Sequence, residues 1–197
     1  VTALAGIRHS VLNPEEKILC KGIHRGMECH VFPGSHGEVS LRQAIAQSCN
    51  VYFFKCAERM GYAALIEEAK LLGFTENPKL QIPSVRDTPI VPDPAWKKHH
   101  LGVKWTLEDT FNISIGQGGL RQSPLQMACF AAKLANNSTT FEPTLLRNAS
   151  SLPQEVNALE VNSTGYQAII EGMALATTNG TARRCKIEGI EVAGKTG

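Results

Sequence analysis

Apolar residues recur at helical spacing along most of this chain, and the period fails in two long stretches. The opening run VTALAGI is apolar from its first residue with no capping side chain ahead of it, which predicts a helix already under way at Val1. Residues 10 to 39 lose the period, and Gly22, Gly26, Pro33, Gly34 and Gly37 predict a loop-rich stretch there. Ser40 followed by Gln43 forms a capping box, which predicts a helix through LRQAIAQ. Apolar residues continue through VYFFKCAERM to Gly61, which reads as a helical C-terminus. Between these halves stands SCN, Ser48 to Asn50, with poor helix propensity, so the pattern predicts either a break or a local cost offset elsewhere.

A second amphipathic helix is expected over AALIEEAKLLG, with Leu65, Ala69 and Leu72 on one face and Gly73 closing it. Residues 74 to 105 are proline-rich without sustained periodicity, which predicts an extended connection over a surface. SIGQGGL follows as a glycine-rich loop. Ser123 as N-cap, Pro124 at the first helical position and Gln126 at the third then predict a helix over SPLQMACFAAKLAN. FEPTLLR reads as a short edge strand, Thr164 with Gln167 as a capping box opening GYQAIIEGMALAT, and IEVAGKTG as a terminal strand.

Composition narrows the function classes. The chain has 197 residues, 43% hydrophobic and 19% charged, which is ordinary globular material. Its net charge of +2 comes from scattered Lys and Arg, so nucleic acid is not an expected partner. No apolar run approaches the roughly 18 residues that span a bilayer, and the N-terminal residues lack the regions of a signal peptide.

The chemistry concentrates in two triplets. In AGKTG the Lys195 ammonium can attract a carboxylate, the Thr196 hydroxyl can hydrogen-bond it, and Gly197 lets a substrate backbone lie close. SCN supplies a hydroxyl and an amide, which alone would suit a helix break equally well. In this order the triplets match the second and third elements of the set known for penicillin-binding proteins and class A β-lactamases, SxxK being the first. Longer segments carry the likeness further: HGEVSLRQAIAQSCNVYFF, SIGQGGLRQSPLQMA and NGTARRCKIEGIEVAGKTG resemble the transpeptidase domain of class B penicillin-binding proteins, of the penicillin-binding protein 2 type that serves cell elongation.

That resemblance implies an α/β (α+β) fold, an antiparallel sheet flanked by helices with a mainly helical subdomain, incomplete at both ends. Residues 1–197 would form one partial transpeptidase domain, from just after SxxK to KTG. The nucleophilic serine and its lysine are expected before Val1, so the chain is expected to be inactive by itself. The parent is expected to be a serine D,D-transpeptidase that cross-links peptidoglycan stem peptides and is acylated by β-lactam antibiotics. Ser48 would relay a proton, Asn50 would hold the substrate amide, and Lys195 with Thr196 would bind the terminal carboxylate beside Gly197. Other cell-elongation membrane proteins are implied partners through regions outside this chain, with the protein at the periplasmic face of the inner membrane. Gln117 in the glycine-rich loop is expected to be structural. A phosphate-loop reading of GQG lacks the Lys-Ser/Thr that should follow.

Cysteine usage adds a second site. Cys20, Cys29, His36 and Cys49 follow a Cx8Cx6Hx12C spacing, and three thiolates with one imidazole suit tetrahedral zinc. Such a zinc would be structural and catalysis would require no cofactor. A Cys20–Cys29 disulfide and unlinked thiols are the alternatives. His24, His30, His99 and His100 are expected to face solvent.

Three other functions share these motifs: a D,D-carboxypeptidase or β-lactamase that admits water, a β-lactam-sensing domain, and an inactive cell-wall scaffold. The decisive geometric expectation is common to the catalytic readings: Lys195 and Ser48 must face each other across a cleft.

Overall fold

The helices begin where side chains can serve the first turn's orphaned N–H groups. The computed structural model describes residues 1–80, 88–137, 143–145 and 162–197. In chain order the elements are α1 (Thr2–Arg8), β1 (Ile18–Cys20), β2 (Ile23–His24), β3 (Met27–Glu28), β4 (Gly37–Val39), α2 (Leu41–Ala46), α3 (Asn50–Leu71), α4 (Pro94–Leu101), α5 (Leu107–Ser114), α6 (Pro124–Asn136), α7 (Ser163–Thr178) and a 3-10 turn (Arg183–Cys185). Ser40 N–H donates to Gln43 Oε1 at 2.9 Å, opening α2. At α6 the exchange is reciprocal, Ser123 N–H to Gln126 Oε1 at 2.8 Å and Gln126 N–H to Ser123 Oγ at 3.2 Å. Both caps stand where the pattern placed them. At Gly61 the helical path of α3 is broken, with φ 77° and ψ 170°, a conformation that a side chain would strain.

Two compact units result. The first comprises Val1–Leu65, Trp105–Gly118 and Val161–Gly197. Its core buries Leu4, Leu41, Val51, Tyr52, Phe54 and Phe111, and the Phe54 and Phe111 rings stack with centroids 5.1 Å apart. Each such aliphatic or phenyl side chain contributes roughly 1.5–3 kcal/mol by leaving water. Helix α7 lies close on α2 because position 172 is glycine: a Cβ there would stand 3.0 Å from Ile45 Cβ and 3.1 Å from the Arg42 carbonyl oxygen. Two short antiparallel pairs complete the unit, β1 with β4 (Cys20 opposite Gly37) and β2 with β3 (Ile23 opposite Glu28). They place Cys20 and Cys29 at the edge of the core, both buried.

The second unit comprises Ile66–Lys104 and Gly119–Glu160, and its described residues are mainly helical. Phe74 meets Phe130 of α6 with ring centroids 5.1 Å apart. Around them, side-chain amides serve loop carbonyls: Gln122 donates to the Phe74 oxygen at 3.0 Å and Gln126 to that of Glu76 at 2.9 Å. Ala69 and Leu72 are buried as the amphipathic pattern requires, as is Leu65 within the first unit, and Gly73 follows α3 with φ 84°.

The structure departs from the sequence reading in four places. The proline-rich stretch contains α4, capped by Asp93, whose Oδ1 accepts from Trp96 N–H at 2.6 Å, with Pro94 at the first helical position. There proline starts a helix rather than ending one. Helix α5 was not expected, although Thr106 and Asp109 form a capping box, with Thr106 N–H donating to Asp109 Oδ2 at 2.6 Å. Helix α7 is capped by Asn162, not Thr164: Asn162 Oδ1 accepts from Gly165 N–H at 2.7 Å, leaving Thr164 inside the first turn. Finally, the IEVAGKTG segment is not a regular strand. Ile187 and Ile190 form an isolated bridge, and residues 191–197 run without ladder partners among the described residues, docked on α7 by Gly194 N–H to the Met173 oxygen at 3.0 Å. A strand is a property of a pair, which periodicity in one segment cannot supply. The expected FEPTLLR strand falls mostly outside the described residues.

Candidate active site

The break between α2 and α3 is what exposes the SCN hydroxyl. Helix α2 ends at Ala46, Ser48 takes a left-handed backbone (φ 53°), and α3 resumes at Asn50. Such a φ at a residue with a Cβ costs on the order of 1 kcal/mol or more, and strain of this kind concentrates at functional sites. The turn is held by Cys49 N–H to the Ala44 oxygen at 2.9 Å, with Cys49 fully buried beneath it. Ser48 itself is half-buried and points outward.

The facing wall comes from the chain's last residues. Lys195 Nζ donates to Ser48 Oγ at 2.9 Å and to the Thr196 carbonyl oxygen at 2.6 Å. Ser48 and Lys195 are therefore neighbours, as the catalytic readings require. The Oγ1 atoms of Thr196 and Thr181 each lie 2.9 Å from Ser48 Oγ and 2.9 Å from one another, closing a triangle of three hydroxyls. Each hydroxyl can donate one proton and accept others, so the triangle can shift a proton without a large side-chain movement. Thr181 was not singled out from sequence. Its signal lay inside NGTARR, where no periodicity marks it. Its position depends on Gly180, where a Cβ would stand 2.1 Å from the Ala46 oxygen, and on Thr181 N–H donating to that same oxygen at 3.0 Å.

Electrostatically the site is cationic. No carboxylate pairs with Lys195 among the described residues. Lys195 is exposed as a residue, yet crowding around its ammonium desolvates it and holds its pKa below the usual lysine range. An incoming carboxylate would restore a partner to that charge. Asn50 is brought to the same helix start as Ser48, but its Nδ2 donates to the Glu28 carbonyl oxygen at 3.4 Å, which ties α3 to β3. Gly197 is exposed beside Thr196 with open space around its Cα, and Gln117 sits in the loop after α5.

Behind Ser48 the four proposed ligands converge. One ligand atom from each of Cys20, Cys29, His36 and Cys49 lies within 4.8 Å of all the others. His36 Nδ1 stands 3.7 Å from Cys20 Sγ and 3.5 Å from Cys29 Sγ. Zn–S and Zn–N bonds of about 2.3 and 2.0 Å place tetrahedral ligands at comparable separations, so the donor set fits zinc in type and size. All six cysteines are free thiols, and the Cys20–Cys29 disulfide is not formed. Burial keeps the His36 imidazole below its usual pKa, with the neighbouring His30 adding to the effect, so it is neutral and able to ligate. Burial pushes the Cys49 thiol far up and also opposes ionisation of Cys20. At Cys20 that effect is outweighed by backbone N–H groups of His36 and Gly22 and by the neighbouring thiols, which lower its pKa.

The remaining histidines divide. His30, His99 and His100 are exposed as expected. His24 is not: it is half-buried, its Nε2 lies 2.8 Å from Glu58 Oε2, and its ring packs on Phe111 at 5.6 Å.

Comparison with known proteins shows which family the chain resembles along its length. The sequence model of the penicillin binding protein transpeptidase domain matches residues 1–197. Among curated relatives, the peptidoglycan D,D-transpeptidase MrdA of Acinetobacter baumannii is 29% identical over 99% of this chain, and that of Haemophilus influenzae is 30% identical over 82%. The chain spans 31% of the first relative's length and 26% of the second's. Among solved structures, the penicillin-binding protein PBP2 of Helicobacter pylori in complex with MreC superposes with a TM-score of 0.86 at 25% identity, covering 100% of this chain and 38% of that one.

Proposed function

The chain belongs to the penicillin-binding protein transpeptidase domain family, of the penicillin-binding protein 2 type, and from that premise we propose that it forms two walls of the active site of a serine D,D-transpeptidase that cross-links peptidoglycan stem peptides. The observation that carries this reading is the 2.9 Å approach of Lys195 Nζ to Ser48 Oγ, made by residues 147 positions apart in the chain.

In this reading a serine expected ahead of Val1 attacks the penultimate D-Ala carbonyl of a donor peptide. The carbonyl carbon bonds to the serine oxygen, the terminal D-Ala leaves as an amine, and an amine of a neighbouring peptide then displaces the serine. Ser48, hydrogen-bonded to a cation and two hydroxyls, passes a proton toward the leaving amine. Lys195 and Thr196 hold the terminal carboxylate, or that of a β-lactam. Asn50 contacts the substrate amide once its long bond to Glu28 yields. Gly197 leaves room for substrate backbone. The protein acts at the outer face of the cytoplasmic membrane through an anchor elsewhere in its sequence. The MreC complex of the Helicobacter pylori protein supports elongation proteins as partners.

Cys20, Cys29, His36 and Cys49 would hold a zinc ion in a closed structural site. It would cross-link the β1–β4 region to the residue beside Ser48 and supply rigidity rather than chemistry.

The test is labelling by a fluorescent penicillin. A longer chain carrying the preceding SxxK segment and the residues following Gly197 is expected to be acylated, and Lys195→Ala in that chain to be acylated far more slowly. A folded longer chain that takes no label would refute the reading in favour of an inactive scaffold.

A further inference from the structure

Beside the hydroxyl triangle an open cleft of about 510 Å³ lies against the turn that follows α7. Its wall carries His30, Gln47, Asn179, Thr181, Arg183 and Arg184, and no lining side chain is acidic or aliphatic. That volume accommodates a few amino-acid side chains, and the charged groups that line it are guanidinium groups with no carboxylate among them.

Two observations tie the cleft to the catalytic cluster and give its ligand a charge. Thr181 belongs to both: its hydroxyl lies 2.9 Å from Ser48 Oγ and from Thr196 Oγ1 while the residue lines the cleft. Arg183 and Arg184 are exposed, and no ion pair engages either among the described residues. A guanidinium stays charged at every working pH and presents a fork of donors matched to two carboxylate oxygens. His30 Nε2 donates to the Gln47 carbonyl oxygen at 2.8 Å, so that imidazole braces the wall and leaves anion binding to the guanidinium groups.

We propose that this cleft is a subsite for a side-chain carboxylate of the peptide substrate, separate from the terminal carboxylate held by Lys195 and Thr196. The assignment rests on the transpeptidase reading above and adds a specificity determinant to it. Arg183 and Arg184 select peptides carrying an acidic group near the reacting carbonyl, and amidation of that group weakens recognition.

The experiment uses the full-length protein and two synthetic peptides ending in D-Ala-D-Ala, identical except that one internal side chain ends in a carboxylate or a carboxamide. Release of D-alanine is read as kcat/KM for each. The wild type is expected to prefer the carboxylate peptide by about tenfold at low salt, the scale of two exposed charge contacts, and less at high salt. In R183A/R184A the ratio is expected to fall toward one, and in R183K/R184K to lie between. Because both peptides are read on the same preparation, partial unfolding of a variant cancels in the ratio. A wild type that turns over both peptides equally, or an R183A/R184A ratio equal to wild type, overturns the subsite alone. A wild type that neither releases D-alanine nor is labelled by penicillin overturns the transpeptidase reading with it.

Discussion

Ser48 combines two demands that separate under mutation. In the proposed reading its hydroxyl serves a proton relay, while its left-handed backbone (φ 53°) is more comfortable for glycine. Ser48→Gly in the full-length protein is therefore expected to keep or slightly raise thermal stability, yet to lower penicillin acylation by on the order of 10²–10⁴-fold, the scale of a positioned acid–base group. A melting curve paired with a stopped-flow labelling assay checks both. Lys195 gives a second prediction with opposed signs. Its pKa is lowered by desolvation, so the unfolded chain binds more protons than the folded one between the folded and the ordinary lysine pKa. Stability contributed by this group thus rises with pH through that window, whereas carboxylate capture, which needs the ammonium, falls. Acylation of the full-length protein is expected to decline on an alkaline limb below the usual lysine range, with Lys195→Arg moving that limb upward. An acylation rate flat to the ordinary lysine pKa would contradict the desolvated ammonium.

At the scale of elements, the site depends on how α7 meets α2. Glycine at 172 permits the approach, and glycine at 180 lets the following turn lie against the Ala46 carbonyl so that Thr181 reaches Ser48. A Cβ at 180 would stand 2.1 Å from that oxygen and 2.7 Å from Ala176 Cα, both backbone atoms that cannot step aside. Gly180→Ala is expected to destabilise by about 1–3 kcal/mol through overpacking, measurable in urea denaturation. It is also expected to slow acylation more than its stability loss explains. Asn162→Ala, which removes only the cap of α7, is expected to cost about 1 kcal/mol with acylation of the folded protein unchanged.

The whole first unit gathers Cys20, Cys29, His36 and Cys49, four groups able to hold a metal, behind the turn that carries Ser48, so in the proposed reading metal and fold are linked. Protein prepared without chelator is expected to carry about one zinc per chain, and strong chelation to lower the melting temperature. Cys20→Ser and His36→Ala should abolish both the zinc and the chelator effect. Metal-free protein whose melting point ignores added zinc would leave these residues as unlinked thiols.

What the chain determined by itself was local. The caps at Ser40 and Ser123 and the helix end at Gly61 are matters of a few neighbouring residues, where backbone donors and side-chain acceptors lie within one turn, whereas at SCN local propensity left a break and an offset cost both open. The same local signal stood before α4 and α5, at Asp93-Pro94 and Thr106 to Asp109, and a proline-rich context concealed the first. The motif residues Ser48, Asn50 and Lys195 were legible as one site only through resemblance, since no spacing rule links residues 147 positions apart. Tertiary structure alone decided that Thr181 joins Ser48 and Thr196, that His24 is held by Glu58, and that Arg183 and Arg184 border a cleft. It also settled that three cysteines and a histidine meet without a disulfide. These are contacts between segments brought together by burial of apolar faces, and a sequence records the faces but not which of them will meet.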